Sequence, residues 1–284
     1  MYANSPPKLW GVLCMLLFCV TLPLIDVLVR WLTPTMGIPQ LIVIRSILMM
    51  LALGVLSWVN REPLCPNRHW GLHGIRNITF VLAVFLWFFT LDHAPLSDLY
   101  AIGFTSPIFA AIGSVFALNE RLSCRKCIGL LGGIIGMLLV IQPGFEHMNP
   151  YLLLAVLCSI LWAIAMIATK KLAHAESPTQ LATSIFISFI PIMLIPSVAQ
   201  PWVLPTGFQW LLLISLSGVT LASHFLLVWS YQRAPLTYLA PVEFSTVIFS
   251  FVFGWVFFNE PLTWATGIGS ILIGASALYT MLEN

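Results

Sequence analysis

Ten apolar segments, each close to the length of a transmembrane helix, follow one another along the chain with only short polar turns between them. A helix needs about 20 residues to cross the hydrocarbon core of a bilayer. The segments are too long for barrel strands and lack the two-residue alternation of such strands, which leaves helices as the spanning structure. The sequence therefore predicts an all-α membrane protein with ten transmembrane helices, at Leu9–Trp31, Ile38–Val59, Trp70–Leu91, Leu96–Leu118, Cys124–Ile141, Tyr151–Lys170, Gln180–Val198, Trp210–Tyr231, Leu236–Phe258 and Thr263–Leu282.

Composition supports a chain embedded in the lipid bilayer and limits its other partners. Hydrophobic residues make up 60% of the sequence and charged residues only 8%, whereas soluble domains carry about 25% charged residues. The net charge of +2 comes without a basic arm or face, so nucleic acid is not expected as a partner. Cys124 and Cys127 form a CxxC pair without a second pair nearby, and neither a metal site nor a cofactor is expected.

An internal repeat with an offset of 140 residues is the most informative pattern in the sequence. The segment His93–Ser97 (HAPLS) recurs as Arg233–Thr237 (RAPLT). The same offset aligns Gln40 with Gln180, Trp70 with Trp210, Phe104 with Phe244, Asn119-Glu120 with Asn259-Glu260, and Gly129 with Gly269. We therefore predict two repeats, residues 1–143 and 144–284, with five helices in each.

Five helices are an odd number, so the second repeat must enter the membrane from the opposite face. Such inverted repeats are related by a pseudo-two-fold axis in the membrane plane, and they are typical of secondary transporters that work by alternating access. With a cytoplasmic N-terminus, nine Lys and Arg residues lie at inside positions and only Arg30 lies outside. This positive-inside bias predicts a multi-pass protein of the cytoplasmic (inner) membrane with both termini in the cytoplasm.

The repeated Ala-Pro-Leu, aromatic-rich helix, Asn-Glu pair and glycine-rich helix resemble the paired EamA domains of the drug/metabolite transporter superfamily. The segments that match are Phe104–Pro107, Leu118–Ser123, Ala240–Phe244 and Phe258–Leu262. The resemblance covers nearly the whole chain. It implies ten helices around a central cavity, no ATP-binding domain, and often a homodimer.

Within this superfamily, Asp26-Val27, Arg45 and Arg76 resemble the branch of S-adenosylmethionine uptake carriers of intracellular bacteria. Other branches export amino acids or take up riboflavin. The resemblance therefore implies that the transported substrate is a small metabolite, without fixing which one.

Glu243 is the first candidate site residue. It follows Pro241 and is the only carboxylate well inside the apolar segments of the second repeat. Ionisable residues inside membrane segments are rare and usually functional, so Glu243 is expected to hold a substrate cation or a proton. The alternative is a structural ion pair with Arg76 on the third helix. Arg76 has a second alternative, because its position near the helix end would let it snorkel to the lipid headgroups.

Two more charges lie inside the first repeat. Arg45 lies about two turns into the second helix, where a guanidinium facing a cavity can bind a carboxylate or phosphate; the alternative is internal pairing. Asp26 follows Pro23, whose ring interrupts the helical hydrogen bonds and can free carbonyl groups for a ligand. The alternative role for Asp26 is a structural partner for Arg30 one turn on.

Aromatic, histidine and glycine residues leave further alternatives open. Trp87 and Tyr231 are interpreted as cavity residues that stack on a ligand, although aromatic residues at helix ends usually form an interfacial belt. His224 is a cavity residue or the donor of an interhelical bond. Glu120, repeated as Glu260, indicates a cap or turn. The Gly-x3-Gly motifs in Gly129–Gly136 predict close helix packing, within the chain or at a dimer seam.

The function predicted from these patterns is a secondary, non-ATP transporter of a small polar or amphoteric organic metabolite. No Walker loop occurs in the sequence, so ATP hydrolysis is not expected. An intramembrane enzyme is the first alternative, but neither His-Glu-x-x-His nor Gly-x-Ser-x-Gly is present, and no catalytic residue is assigned. A passive channel is the second alternative, which the inverted repeat disfavours.

Overall fold

The computed structural model of the chain describes residues 7–66, 69–91, 102–142, 151–259 and 264–282. All regular secondary structure in these ranges is helical. The helices are α1 (Pro7–Leu32), α2 (Ile38–Asn60), α3 (Trp70–Leu91), α4 (Ser106–Ala117), α5 (Cys124–Ile141), α6 (Tyr151–Leu172), α7 (Pro178–Val198), α8 (Gly207–Arg233), α9 (Leu236–Glu243), α10 (Ser245–Phe258) and α11 (Trp264–Met281).

The number of membrane spans agrees with the prediction. Within the described ranges, eight helical stretches are long and apolar enough to cross a membrane, with α9 and α10 together forming one of them. Two shorter apolar helices, Ser106–Ala117 and Gly267–Thr280, supply the remaining spans. The predicted all-α fold with ten membrane-spanning segments is therefore confirmed.

The two ends of the helix bundle are named here by where α1 begins and ends. The near face is the end at which α1 begins, and it holds residues 61–66, 118–123, 173–177 and 234–235. The far face is the end at which α1 finishes, and it holds residues 33–37 and 199–206. Contacts link the turns of each face, such as Gln180 Nε2 to the Cys65 carbonyl on the near face and Gln209 Nε2 to Thr35 Oγ1 on the far face.

The packing of the helices is unchanged when the two repeats are exchanged. The main packed pairs are α1 with α8, α3 with α6, α2 with α7, and α5 with α11. Exchange of each helix for its equivalent in the other repeat turns the α1–α8 pair into the α6–α3 pair and leaves α2–α7 and α5–α11 as they are. The contact of α4 with α6 likewise has its equivalent in the contact of α1 with α10. This is the arrangement expected of inverted repeats.

One pair of glutamines shows the same symmetry at the level of side chains. Gln40, at the start of α2, donates through Nε2 to the carbonyl of Val203 at 2.6 Å on the far face. Its repeat equivalent Gln180, at the start of α7, donates to the carbonyl of Cys65 at 3.2 Å on the near face. Each repeat therefore holds a turn of the other through the same residue, on opposite sides of the bundle.

The fourth and ninth spans are broken helices, which the sequence did not predict. α9 ends at Glu243 and α10 begins at Ser245, with Phe244 between them. In the fourth span a turn at Phe104 and Thr105 precedes α4. Phe104 and Phe244 are equivalent in the repeat, so the two breaks lie at matching positions.

The glycines of α5 lie against α11 and not on an outer surface. A Cβ atom on Gly136 would lie 2.8 Å from the carbonyl oxygen of Gly269, and one on Gly129 would collide with Thr280. Small residues of this kind let two helix backbones approach closely in a membrane. The glycine motifs therefore serve packing within the chain, which decides between the two interpretations made from the sequence.

A Gly269→Ala variant is expected to unfold at a lower temperature than the wild type. Its Cβ would lie 2.5 Å from the Gly136 carbonyl oxygen, and overpacking of this kind costs about 1–3 kcal/mol. Gly274→Ala on the same helix is the matched control, because a Cβ there meets nothing within 4 Å. Thermal unfolding of both variants in detergent measures the difference, and equal midpoints would contradict the close approach of α5 and α11.

Candidate functional site

Glu243 lies where the ninth span is interrupted. Pro241 has no N–H and cannot donate to the carbonyl four residues earlier, which weakens the helix just before the break. The ring of Phe244, which forms the break, is fully buried against Gly133, where a Cβ would lie 2.5 Å from it. The break therefore places the carboxylate of Glu243 inside the protein, at the C-terminal end of the half-helix α9.

Polar atoms without hydrogen-bond partners surround this carboxylate. Glu243 is 8% exposed, and its Oε2 is buried without a partner. The hydroxyls of Tyr231 and Thr246 are also buried without partners, and Tyr231 lies within electrostatic range of Glu243 and Cys19. The Cys19 thiol lies 3.7 Å from the Val242 carbonyl oxygen. Since buried polar groups in proteins are nearly always paired, these atoms mark a place where a ligand, water or a proton completes the set.

Asp26 lies on the inward face of α1 and yet is exposed. Met15 and Cys19, three and two turns before it, point in the same direction and are both 0% exposed. Protein atoms surround the Asp26 carboxylate on nearly all sides, but its side chain is accessible to water. This combination is that of a cavity wall, so a cavity opens along the inner side of α1 toward the far face.

The structural role considered for Asp26 is wrong. Asp26 makes no ion pair with Arg30 one turn on, although the structure describes both side chains. The guanidinium of Arg30 lies instead over the ring of Phe258, 4.1 Å from its centre. Asp26 therefore presents an unpaired carboxylate to the cavity.

Arg45 supplies a cation without an anionic partner. Its side chain is half-buried, and its Nε is buried without a hydrogen-bond partner, as is the hydroxyl of Ser46 beside it. The helix that carries Arg45 packs against α8. On α8, His224 Nε2 is likewise unpartnered, and its ring lies edge-on to Phe186 at 5.7 Å. The internal pairing considered for Arg45 is not found with any residue that the structure describes.

Arg76 is held by hydrogen bonds from several directions. It is 0% exposed, so it does not snorkel to the headgroups. Its Nε donates to Thr169 Oγ1 at 2.9 Å, and its Nη1 donates to the Leu181 carbonyl at 3.1 Å. The structure describes both Arg76 and Glu243 and shows no ion pair between them, and the carboxylate that acts on Arg76 is Glu176. Arg76 therefore ties α3 to α6 and α7.

A buried His73–Glu176 pair continues this network on the near face, and sequence analysis missed it. His73 Nε2 lies 2.7 Å from Glu176 Oε2, and its Nδ1 lies 2.9 Å from Ser184 Oγ. Asn77 Nδ2 donates to the Ser184 carbonyl at 2.7 Å. Glu176 stands in the turn after α6, and no spacing in the sequence relates it to His73. The network closes the near face between the two repeats.

Trp87 packs at the other broken span. It is half-buried, and a Cβ on Gly103 would lie 2.8 Å from its ring. By contrast, Trp58 and Trp264 are 82% and 91% exposed, as expected for side chains that face lipid. The packing of Trp87 at the turn before α4 differs from that of an interfacial belt residue, and its contact with a ligand stays a prediction.

The arrangement brings Glu243, Tyr231 and Cys19 together and gives Asp26 and Arg45 unpaired charges in the interior. A carboxylate in such a place can bind an organic cation or a proton. An unpaired guanidinium can bind a carboxylate or phosphate with two hydrogen bonds. Among the residues that the structure describes, no group of three or more His, Cys, Asp or Glu side chains could hold a metal ion.

Comparison with known proteins places the chain in a family. The EamA-like transporter family matches it twice, at residues 9–142 and 149–282. A riboflavin transporter of Brucella anthropi is 26% identical over 280 residues, which cover 94% of this chain and 96% of the relative. An S-adenosylmethionine uptake transporter of Rickettsia bellii is 27% identical over 215 residues, which cover 75% and 73%.

A solved crystal structure has the same fold. It superposes on 99% of this chain and 100% of its own chain with a TM-score of 0.79, at 20% sequence identity. At this identity the likeness concerns the fold alone, whereas the family match covers both repeats. The chain therefore belongs to the EamA-like transporter family and is a transporter of a small metabolite.

Proposed function

We propose that this protein is a secondary carrier for an amphoteric organic metabolite, with Glu243 as the central binding group. The observation that carries the proposal is the unpartnered carboxylate of Glu243, buried at the break between α9 and α10. Transporters with inverted repeats bind their substrates near the bilayer midplane at broken helices of this kind. Glu243 would bind the cationic group of the substrate, and Tyr231 would donate a hydrogen bond to it.

Asp26 and Arg45 support the amphoteric character of the substrate. Asp26 faces the cavity that opens toward the far face, and Arg45 carries an unpaired positive charge. A substrate with an ammonium or sulfonium group and a carboxylate would satisfy charges of both signs. The relatives are named as transporters of S-adenosylmethionine, which has this charge pattern, and of riboflavin, which has none at neutral pH. The charges in this chain favour the first class of substrate.

The mechanism we propose is alternating access between the two repeats, residues 1–143 and 144–284. The near face is closed by the networks of Arg76 and Glu176, whereas Asp26 is reachable from the far face. Because the packing is unchanged when the repeats are exchanged, a state with the two faces interchanged has comparable contacts. Rocking between these states would move the substrate without ATP and without a chemical step.

The near face is assigned to the cytoplasm. The positive-inside rule places both termini there, because Arg61, Lys171 and the basic residues around Arg125 lie on this face. A homodimer stays a prediction from the family resemblance, and the glycines of α5 would not form its seam because α11 covers them.

Cysteines placed at Arg61 and Lys171, both exposed, should not react with a membrane-impermeant maleimide in intact cells. A cysteine at Leu204, which is 91% exposed on the far face, should react under the same conditions. Labelling is measured in a background without native cysteines, before and after permeabilisation. Labelling of Lys171→Cys in intact cells would contradict the assigned orientation.

Uptake into proteoliposomes tests the proposed function. Labelled S-adenosylmethionine, riboflavin and zwitterionic amino acids are offered in turn, without ATP, to the wild type and to Asp26→Asn. We expect saturable uptake of a compound that carries both charges, with a weaker apparent affinity in Asp26→Asn. Saturable uptake of riboflavin alone, unaffected by Asp26→Asn, would reject the amphoteric substrate while leaving a carrier.

A further inference from the structure

The half-helix α9 lacks a cap of its own. Its N-cap position is Pro235, which offers no side-chain oxygen, and no side-chain cap bond is formed by it. The helices α5, α7 and α8 are capped by Ser123, Ser177 and Thr206. Since the first N–H groups of a helix need partners from outside the helix, those of α9 must be satisfied by another segment.

Glu120 of the first repeat supplies this cap. Its Oε1 accepts a hydrogen bond from the Leu236 N–H at 2.9 Å, and its Oε2 accepts one from the Thr237 N–H at 2.9 Å. A carboxylate is the strongest neutral-pH partner for a helix N-terminus, because the bonds are charge-assisted and the helix dipole is positive there. One side chain of the first repeat therefore binds the end of a helix that belongs to the second.

The backbone of Asn119 directs Glu120 toward α9. Asn119 has a φ of 54°, in the left-handed region that Asn tolerates better than most residues. This conformation ends the turn that follows α4, and the Glu120 N–H returns to the Ser114 carbonyl at 3.3 Å. The Asn-Glu pair thus acts as a unit in which the first residue turns the chain and the second reaches across the repeat boundary.

Positive charge surrounds the contact. Lys126 Nζ donates to Thr237 Oγ1 at 3.1 Å. Lys170 Nζ donates to the carbonyls of Tyr231 and Ala234, just before α9, and lies within electrostatic range of Glu120. These contacts come from both repeats and meet at the turn between α8 and α9, so the near face is closed at this point by polar bonds that water could replace.

The two ends of α9 connect this contact to the central site. The helix has eight residues, so about 12 Å separates Glu120 at one end from Glu243 at the other. A helix of this length moves as a rigid rod. We propose that Glu120 is a positioning residue that latches α9 to the first repeat, keeps Glu243 closed off from the near face, and must release α9 before a substrate can leave toward that face. The proposal rests on the alternating-access part of the proposed function.

Cys19 provides a reporter for this movement. Its thiol lies 3.8 Å from the Glu243 carbonyl oxygen and is 0% exposed. The other five cysteines, Cys14, Cys65, Cys124, Cys127 and Cys158, are replaced by serine so that Cys19 is the only thiol. Its rate of reaction with an impermeant maleimide is then measured from each side of membrane vesicles, with an Arg61→Cys protein identifying the near face.

Glu120→Gln is expected to raise the near-face labelling rate of Cys19 about tenfold, because an amide has one acceptor oxygen and no charge for the two N–H groups. Glu62→Gln removes the same charge from an exposed position of the same face and is expected to leave the rate unchanged. Glu120→Asp, which keeps the charge on a shorter side chain, is expected to give a smaller increase; it also serves if Glu120→Gln does not fold.

A second substitution separates a latch from a local cap. Pro235→Ser, added to Glu120→Gln, gives α9 an N-cap hydroxyl of its own. A latch predicts that thermal stability recovers while near-face labelling stays about tenfold above the parent. Return of labelling to the parent rate, or no increase in Glu120→Gln and Glu120→Asp, would overturn the proposal. Because labelling needs no substrate, these outcomes are independent of whether the uptake assay finds one.

Discussion

A Glu243→Gln variant is expected to lose nearly all transport while remaining folded. Removal of one partner of a buried charge pair costs about 2–5 kcal/mol, which corresponds to a loss of roughly 30-fold to several thousand-fold in binding. The free protein has no such pair to lose, because Glu243 is unpartnered. The neutral amide removes an unpaired buried charge, so the thermal midpoint should stay equal or rise.

Uptake and thermal unfolding are measured together for this variant. Glu243→Asp should keep part of the activity with a weaker apparent affinity, because the charge remains on a shorter side chain. Glu62→Gln is the control for a charge lost at an exposed position. Wild-type transport by a stable Glu243→Gln protein would remove this residue from the site.

Arg76→Gln is expected to have the opposite pattern, with a large loss of stability. The guanidinium bonds Thr169 and the Leu181 carbonyl and lies 3.3 Å from Ser184 Oγ. Its loss leaves these groups and the Glu176 carboxylate without their cation, and breaking a buried charge network costs about 3–5 kcal/mol. Arg76→Lys should not rescue stability, because an ammonium lacks the planar set of donors that reaches several acceptors. Chemical unfolding in detergent gives the measurement.

Double variants identify the partner of Arg76. Arg76→Gln and Glu176→Gln should be coupled, because their side chains interact electrostatically, with a coupling energy of about 0.5–3 kcal/mol. Arg76→Gln and Glu243→Gln should be additive within about 0.5 kcal/mol. Recovery of stability when Glu243→Gln is added to Arg76→Gln would instead support the ion pair considered from the sequence.

The membrane spans and the inverted repeat were predictable because they depend on local patterns. Apolar length reports the bilayer thickness directly, and the odd number of helices in each repeat fixes the inversion. The breaks were not predictable, since hydrophobicity continues without interruption through Phe104 and Phe244. Pro241 marked one of them only in retrospect, because many membrane helices continue through a proline, as α1 does through Pro23.

The candidate site was predicted less completely than the fold. An ionisable residue in an apolar segment was enough to single out Glu243, Arg45, Arg76 and Asp26, but not to say which of them were paired. Arg76 is paired with residues about 100 positions away, in α6, α7 and the turn after α6. Such pairing depends on the packing of α3 against α6, and a single sequence contains no record of that contact.

Counterflow in proteoliposomes tests the central claim most directly. Vesicles that contain the purified protein are loaded with an excess of unlabelled substrate and diluted into a trace of labelled substrate, without ATP or an ion gradient. A carrier with one site that alternates between the two faces predicts that label accumulates transiently above its external concentration, and that Glu243→Gln abolishes this overshoot. Monotonic equilibration without an overshoot in the wild type would contradict alternating access and indicate a passive channel.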